Sequence, residues 1–165
     1  MAKTATKKKS TARRKPVRKP AAARRPVGRA KPKARKPARK AAQRFTVSHH
    51  REEDFKADGL RAYARYRDLG IAGATGGMVQ AHVIRLVPPC TDEVRKRHLH
   101  KVDFQMVYVL KGWMKNEFEG QGEQLMRAGT CWIQPPGIKH TVLDYSDDCE
   151  VLEIILPAQF DTVEV

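Results

Sequence analysis

From residue 44 onward, apolar and polar residues alternate over short stretches broken by Gly, Pro and Asp. That period of two marks strands with one buried face rather than helices. The pattern runs over 60–67, 78–87, 97–102, 104–110, 113–118, 123–126, 131–133, 140–145 and 151–156. Turn residues separate these runs at 72–77, 88–92, 111–112, 119–122, 135–137 and 146–148. Only a turn around 52–56 reads as helical. Many short strands with no helices between them predict an all-β domain over residues 44–165, an antiparallel sandwich or barrel.

Residues 1–43 break this pattern completely. They carry 18 Lys and Arg and no Asp or Glu, whereas residues 44–165 carry 15 against 18, so the chain's net charge of +15 belongs to the first segment. That segment lacks aromatic residues, and its only larger aliphatics are Met1, Val17 and Val27. Too little apolar surface and too many like charges predict a disordered arm. Pro16, Pro20, Pro26, Pro32 and Pro37 rule out a continuous helix, including the amphipathic helix of a transit-like leader. The expected activity is nonspecific attachment to DNA or RNA by phosphate neutralisation, with no stacking and no base readout. The chain lacks an apolar run near the roughly 20 residues of a membrane span, which predicts a protein off the membrane. Three widely spaced cysteines, Cys90, Cys131 and Cys149, predict a reducing, cytoplasmic home without a disulfide framework.

Two stretches carry the candidate chemistry. The first runs from His98-Leu-His100 through Gln105 to Gly112, and the second from Gly129 through Pro135-Pro-Gly137 to His140 and Asp144. Residues two apart on a strand face the same way, so His98 and His100 can grip one ion. Gln105 lies an odd number of residues beyond His100, so a turn at 101–103 must reset the phase before it can join them. His140 would arrive from a partner strand, placed by the rigid Pro-Pro-Gly turn. Asp144, expected on the same face as His140, would orient it.

These two stretches resemble the motifs of the cupin superfamily in its small, single-domain form. The first family motif is Gly, five residues, HxH, three or four residues, Glu, six residues, Gly; here Asp92 replaces the leading Gly and Gln105 the Glu. The second is Gly, five residues, PxG, two residues, His, three residues, Asn; here Asp144 replaces the Asn. The resemblance spans about residues 78–157. It implies a double-stranded β-helix, the jelly-roll barrel, holding one divalent transition metal (Fe, Mn, Ni, Zn or Cu) on His98, His100, Gln105 and His140. It also implies a homodimer. The Lys/Ala/Pro composition of residues 1–43 is similar to the arms of linker-histone-like bacterial nucleoid proteins, which implies nucleoid association.

Gln105 shapes the expected chemistry. Its neutral amide cannot act as a base, which favours isomerase- or epimerase-like Lewis-acid chemistry on a small oxygenated molecule, or dioxygenase-like chemistry at a three-histidine iron. His82 alternates with Ile84 and Leu86, so it is either a hydrogen-bonded interior histidine or the candidate acid–base residue. Asn116 shares a strand face with Met114 and Phe118 as the polar group of the pocket. Arg61, Arg65, Arg67 and Arg85 are candidates for attracting an anion. His49 and His50 read as surface residues. The alternatives to an enzyme are a non-catalytic ligand-binding cupin and a nucleoid-associated dimer whose barrel only dimerises.

Overall fold

The computed structural model describes residues 42–57 and 61–165. The basic arm assigned to residues 1–43, with its nucleic-acid reading, lies outside the described residues but for its last two. Ten strands follow a 3-10 turn at Glu52–Asp54: β1 (Ala64–Asp68), β2 (Gln80–Leu86), β3 (His98–Lys101), β4 (Phe104–Lys111), β5 (Trp113–Phe118), β6 (Gly122–Arg127), β7 (Cys131–Ile133), β8 (His140–Tyr145), β9 (Glu150–Leu156) and β10 (Asp161–Glu164). They form two five-stranded antiparallel sheets, ordered β1-β2-β9-β4-β7 and β10-β3-β8-β5-β6. All nine expected strands are present. Two elements went unforeseen: β10 and a single helical turn, α1 (Ile71–Ala74), where a plain turn was expected. No helix among the described residues is long and apolar enough to cross a membrane.

The alternation seen in the sequence becomes the inside and outside of the barrel. On β4, Gln105, Val107 and Val109 are buried, while Tyr108 and Leu110 are exposed. On β5, Met114, Asn116 and Phe118 are buried together. Both sheets contribute to the core, which gathers Val107, Val109, Met114, Phe118, Tyr145 and Val151. Fully burying a side chain such as Val109 contributes roughly 1.5–3 kcal/mol, which offsets the backbone ordering cost of about one or two residues.

Two local irregularities set the facing of the site residues. Gly112 joins β4 to β5 with φ +67°, a left-handed conformation that favours glycine. A Cβ there would lie 3.2 Å from the Cα of Cys149 and would collide with the Ser146 hydroxyl. The second irregularity is a bulge on β8. Lys115 pairs with Asp144 but Asn116 pairs with Val142, so Leu143 is the extra residue. Val142 therefore lines the interior with His140, while Asp144 turns out to solvent and Tyr145 turns in.

Candidate metal centre

His98 and His140 stand directly opposite each other, the only register pair between β3 and β8. Their ring centroids are 4.2 Å apart, and each lies 5.1 Å from the ring of His100. One nitrogen from each histidine falls within 4.8 Å of the others. The remaining nitrogens face outward and are held. His98 Nδ1 is 2.7 Å from Lys96 O, His140 Nδ1 is 3.1 Å from Ile138 O, and His100 Nδ1 is 2.9 Å from Thr162 Oγ1. A carbonyl only accepts, so in His98 and His140 the proton sits on Nδ1 and the lone pair on Nε2; that of His140 accepts from Gln134 Nε2 at 3.0 Å, a hydrogen bond an ion would displace. Anchoring one ring nitrogen while presenting the other is how proteins orient metal-binding histidines.

Burial keeps the triad neutral. It pushes His100 down to about 4 and His140 to about 3, reinforced by the charges of neighbouring histidines, and it lowers His98 as well. Three neutral imidazoles converging in a buried cavity fit a divalent transition ion. The Pro135-Pro136-Gly137 turn supports this geometry, because Gly137 N donates to His100 O at 3.2 Å and so ties the turn to β3.

Strand β3 ends at Lys101 and β4 begins at Phe104, so Val102 and Asp103 supply the expected change of phase. Gln105 is 1% exposed and lines the same cavity as the triad. Among the described residues, its hydrogen-bonded link to the triad runs through Gln134. Gln134 Nε2 donates to Gln105 Oε1 at 3.1 Å and lies 3.0 Å from His140 Nε2. Asp144 is not brought to His140: it is exposed, and its Oδ1 accepts from the Tyr145 amide. The bulge at Leu143 is the reason, and the Ile138 carbonyl takes the role expected of that carboxylate.

His82 also lines the cavity, and its Nε2 lies 2.6 Å from Glu153 Oε2. The other carboxylate oxygen of Glu153 accepts from Gln105 Nε2 at 2.5 Å. Burial alone would raise the Glu153 carboxyl, but the hydrogen bonds from His82 and Gln105 hold it below the ordinary carboxylate range. Glu153 was missed in the sequence. Its signal was an acid between Val151 and Ile155, in phase with both, within the otherwise apolar run 151–156. Gln134 and Thr162 also went unsingled.

Of the four candidate arginines, only Arg61 lines the cavity. Arg85 is paired with Glu52 and, at 2.7 Å, with Glu150. Arg67 donates to Ser48, and Arg65 is exposed. The inner cavity measures about 120 Å³. Beside it lies an open basin of about 950 Å³, lined partly by the chain between Thr46 and Lys56 and including His49. Tyr66, His82 and Phe160 line both spaces and form the partition between them.

Residues 86–155 match the family model of the cupin domain. Solved structures share the fold at low sequence identity. The polyketide cyclase RemF from Streptomyces resistomycificus is 18% identical with a TM-score of 0.56, over 73% of this chain and 86% of that one. KdgF from Halomonas sp. is 17% identical with a TM-score of 0.54, over 68% and 96%. A sugar phosphate isomerase of the cupin superfamily from Silicibacter pomeroyi is 21% identical with a TM-score of 0.51, over 66% and 69%. No curated protein matches the chain. The family match over residues 86–155 and the solved structures show that the two sheets share the cupin fold.

Proposed function

We propose that the chain is a metal-dependent small cupin enzyme acting on a small oxygenated organic molecule. The observation that carries this reading is the histidine triad, with one nitrogen of each ring anchored and the others converging beside the buried His82–Glu153 pair. His98, His100 and His140 would hold the ion, with Gln105 as the candidate fourth ligand once its oxygen exchanges Gln134 for the metal. A divalent ion there supplies Lewis-acid polarisation of an oxygen on the bound molecule.

The chain's own residues supply the proton chemistry. An ionised Glu153 can only accept, so His82 donates to it through Nε2 and keeps its lone pair on Nδ1. His82 Nδ1 is then the proton acceptor, with the Glu153 carboxylate stabilising the imidazolium that forms. Gln105 cannot act as a base, so Glu153 is the carboxylate of this site. This arrangement suits proton-transfer reactions of the isomerase or epimerase kind better than oxygen chemistry. Solved structures of the same fold carry the names of an isomerase, a cyclase and a dioxygenase, so the preference rests on the His82–Glu153 pair and not on the fold.

The arm at 1–43 would act separately, binding nucleic acid through its 18 cations and holding the 44–165 domain on DNA or RNA in the cytoplasm, nucleoid included. The exposed apolar side chains Tyr108, Leu110 and Ile133 on β4 and β7 support pairing of two barrels into a homodimer. Metal analysis of the full chain tests the central reading. About one transition metal per chain is expected, and it should be lost in His140→Ala. A wild-type chain that stays metal-free after reconstitution overturns the metalloenzyme. The barrel would then be a ligand-binding or dimerising module.

A further inference from the structure

Three residues that line the inner cavity each carry a buried polar atom that the described residues leave unpaired. Arg61 Nη2, Asn116 Oδ1 and Trp132 Nε1 are buried, and none has a hydrogen-bond partner among the described residues. All three residues line the cavity that contains the histidine triad. The one further side-chain atom in this condition, Arg67 Nε, belongs to a residue that does not line it. Buried polar atoms are ordinarily satisfied, so the gathering of these three in one small space marks a place built for a ligand.

Their chemistry describes that ligand. Arg61 carries a permanent charge on a planar fork suited to carboxylate. Its side chain is 16% exposed, and its nearest acid, Glu164, lies 4.0 Å from Nη1 and is largely in solvent. Arg61 thus has no close ion pair; the other charged group of the cavity, the Glu153 carboxylate, is taken up by His82 and Gln105. Trp132 Nε1 can only donate, and Asn116 Oδ1 can only accept. A ligand that answers all three needs an anionic oxygen, a second oxygen that accepts, and a hydroxyl that donates. At about 120 Å³ the cavity is well below the roughly 300 Å³ of the smallest drug-sized pockets. A nucleotide does not fit, and a neutral polyol leaves Arg61 unanswered.

We propose that the cavity binds a small hydroxycarboxylate, with Arg61 as the residue that selects the anion. Asn116 and Trp132 receive its hydroxyl and second oxygen beside the triad. This substrate class rests on the metalloenzyme reading for its reaction, but its binding can be measured without turnover.

The test compares glycerate with glycerol, which keeps the polyol frame and lacks the carboxylate, by calorimetry on the full chain. Wild type, Arg61→Gln, Arg61→Lys and Arg65→Gln are measured, with metal content determined on the same samples. Glycerate is expected to bind wild type and Arg65→Gln alike, and to bind Arg61→Gln about tenfold or more weakly. Arg61→Lys should fall between, because it keeps charge but loses the fork, and glycerol should bind far more weakly than glycerate. Equal binding of glycerate and glycerol to wild type, or no glycerate binding, overturns the proposal even if the Arg61 variants fail to fold. An Arg61→Gln chain that folds and binds glycerate within twofold of wild type also overturns it. Full metal with no anion preference sinks the substrate class alone, whereas anion preference without metal sinks the metalloenzyme reading alone.

Discussion

Gln105 donates to Glu153 across 2.5 Å, from β4 to its neighbour β9. Gln105 pairs with Ile155 and Val107 with Glu153, so the two side chains are diagonal neighbours on the interior face of one sheet. An amide and a carboxylate thus share one hydrogen bond at the centre of the barrel, and His82 completes the cluster from β2.

Truncation of Glu153 should show what that cluster is worth. Glu153→Ala leaves two buried donors unpaired, so we expect a stability loss of about 2–4 kcal/mol at pH 7 by urea denaturation, with a smaller loss in Glu153→Gln. The folded carboxyl lies below its unfolded value, so its contribution is full above the ordinary carboxylate range. It disappears as pH falls through the lowered value. The difference between wild type and Glu153→Gln should shrink accordingly in acid.

The triad loses stability in the same direction, toward acid, but begins to do so at higher pH, from the ordinary histidine range downward. Buried histidines held neutral bind protons less readily than the unfolded chain, so they leave stability unchanged above pH 6.5 and reduce it as pH falls below. For His100, lowered to about 4, the loss over that interval is on the order of 3 kcal/mol. Urea midpoints of the metal-free full chain between pH 7.5 and 4.5 should fall, and His100→Asn should flatten the decline. A profile that is flat in wild type contradicts the burial of these rings.

Metal affinity should follow the groups that hold the rings. Thr162→Val removes the partner of His100 Nδ1 and should weaken metal binding by about 10–100-fold in competition with a chelator. Asp144→Asn should leave it unchanged, because the exposed carboxylate touches neither His140 nor the cavity.

This contrast shows where the sequence is a sufficient guide. Strand phase and turn residues made His98, His100 and His140 legible, since alternation fixes facing as long as pairing is regular. Asp144 failed because one extra residue on β8, Leu143, reverses the phase, and nothing in the local residue types announces a bulge. Thr162 was hidden because β10 is four residues long and mostly polar, so its propensity is too weak to separate from a loop. Its strand character comes from pairing with β3. Glu153 was visible only as an anomaly of phase, and its partners come from residues 48 and 71 positions away.

Gly112→Ala should destabilise the fold without touching the cavity. The left-handed φ and the 3.2 Å approach to the Cys149 backbone together should cost at least about 1–3 kcal/mol, read as a lowered Tm with metal stoichiometry preserved.

Deleting residues 1–43 should abolish retention on DNA at low salt and leave metal content unchanged. Retention of the full chain should fall with salt at a log–log slope of about −0.9 for each phosphate neutralised. Equal retention with and without the arm would remove nucleic acid from the account.

Strands β3 and β8 meet at one residue pair, His98 and His140, whereas β5 and β6 share six. The ribbon of β3 and β10 is therefore stitched to the rest of its sheet by the same two residues that would grip the ion. A bound ion would rivet that seam, and a chelator would free it. Amide exchange along β3 and β10 is thus expected to quicken when the ion is withdrawn, while β5 and β6 keep their protection.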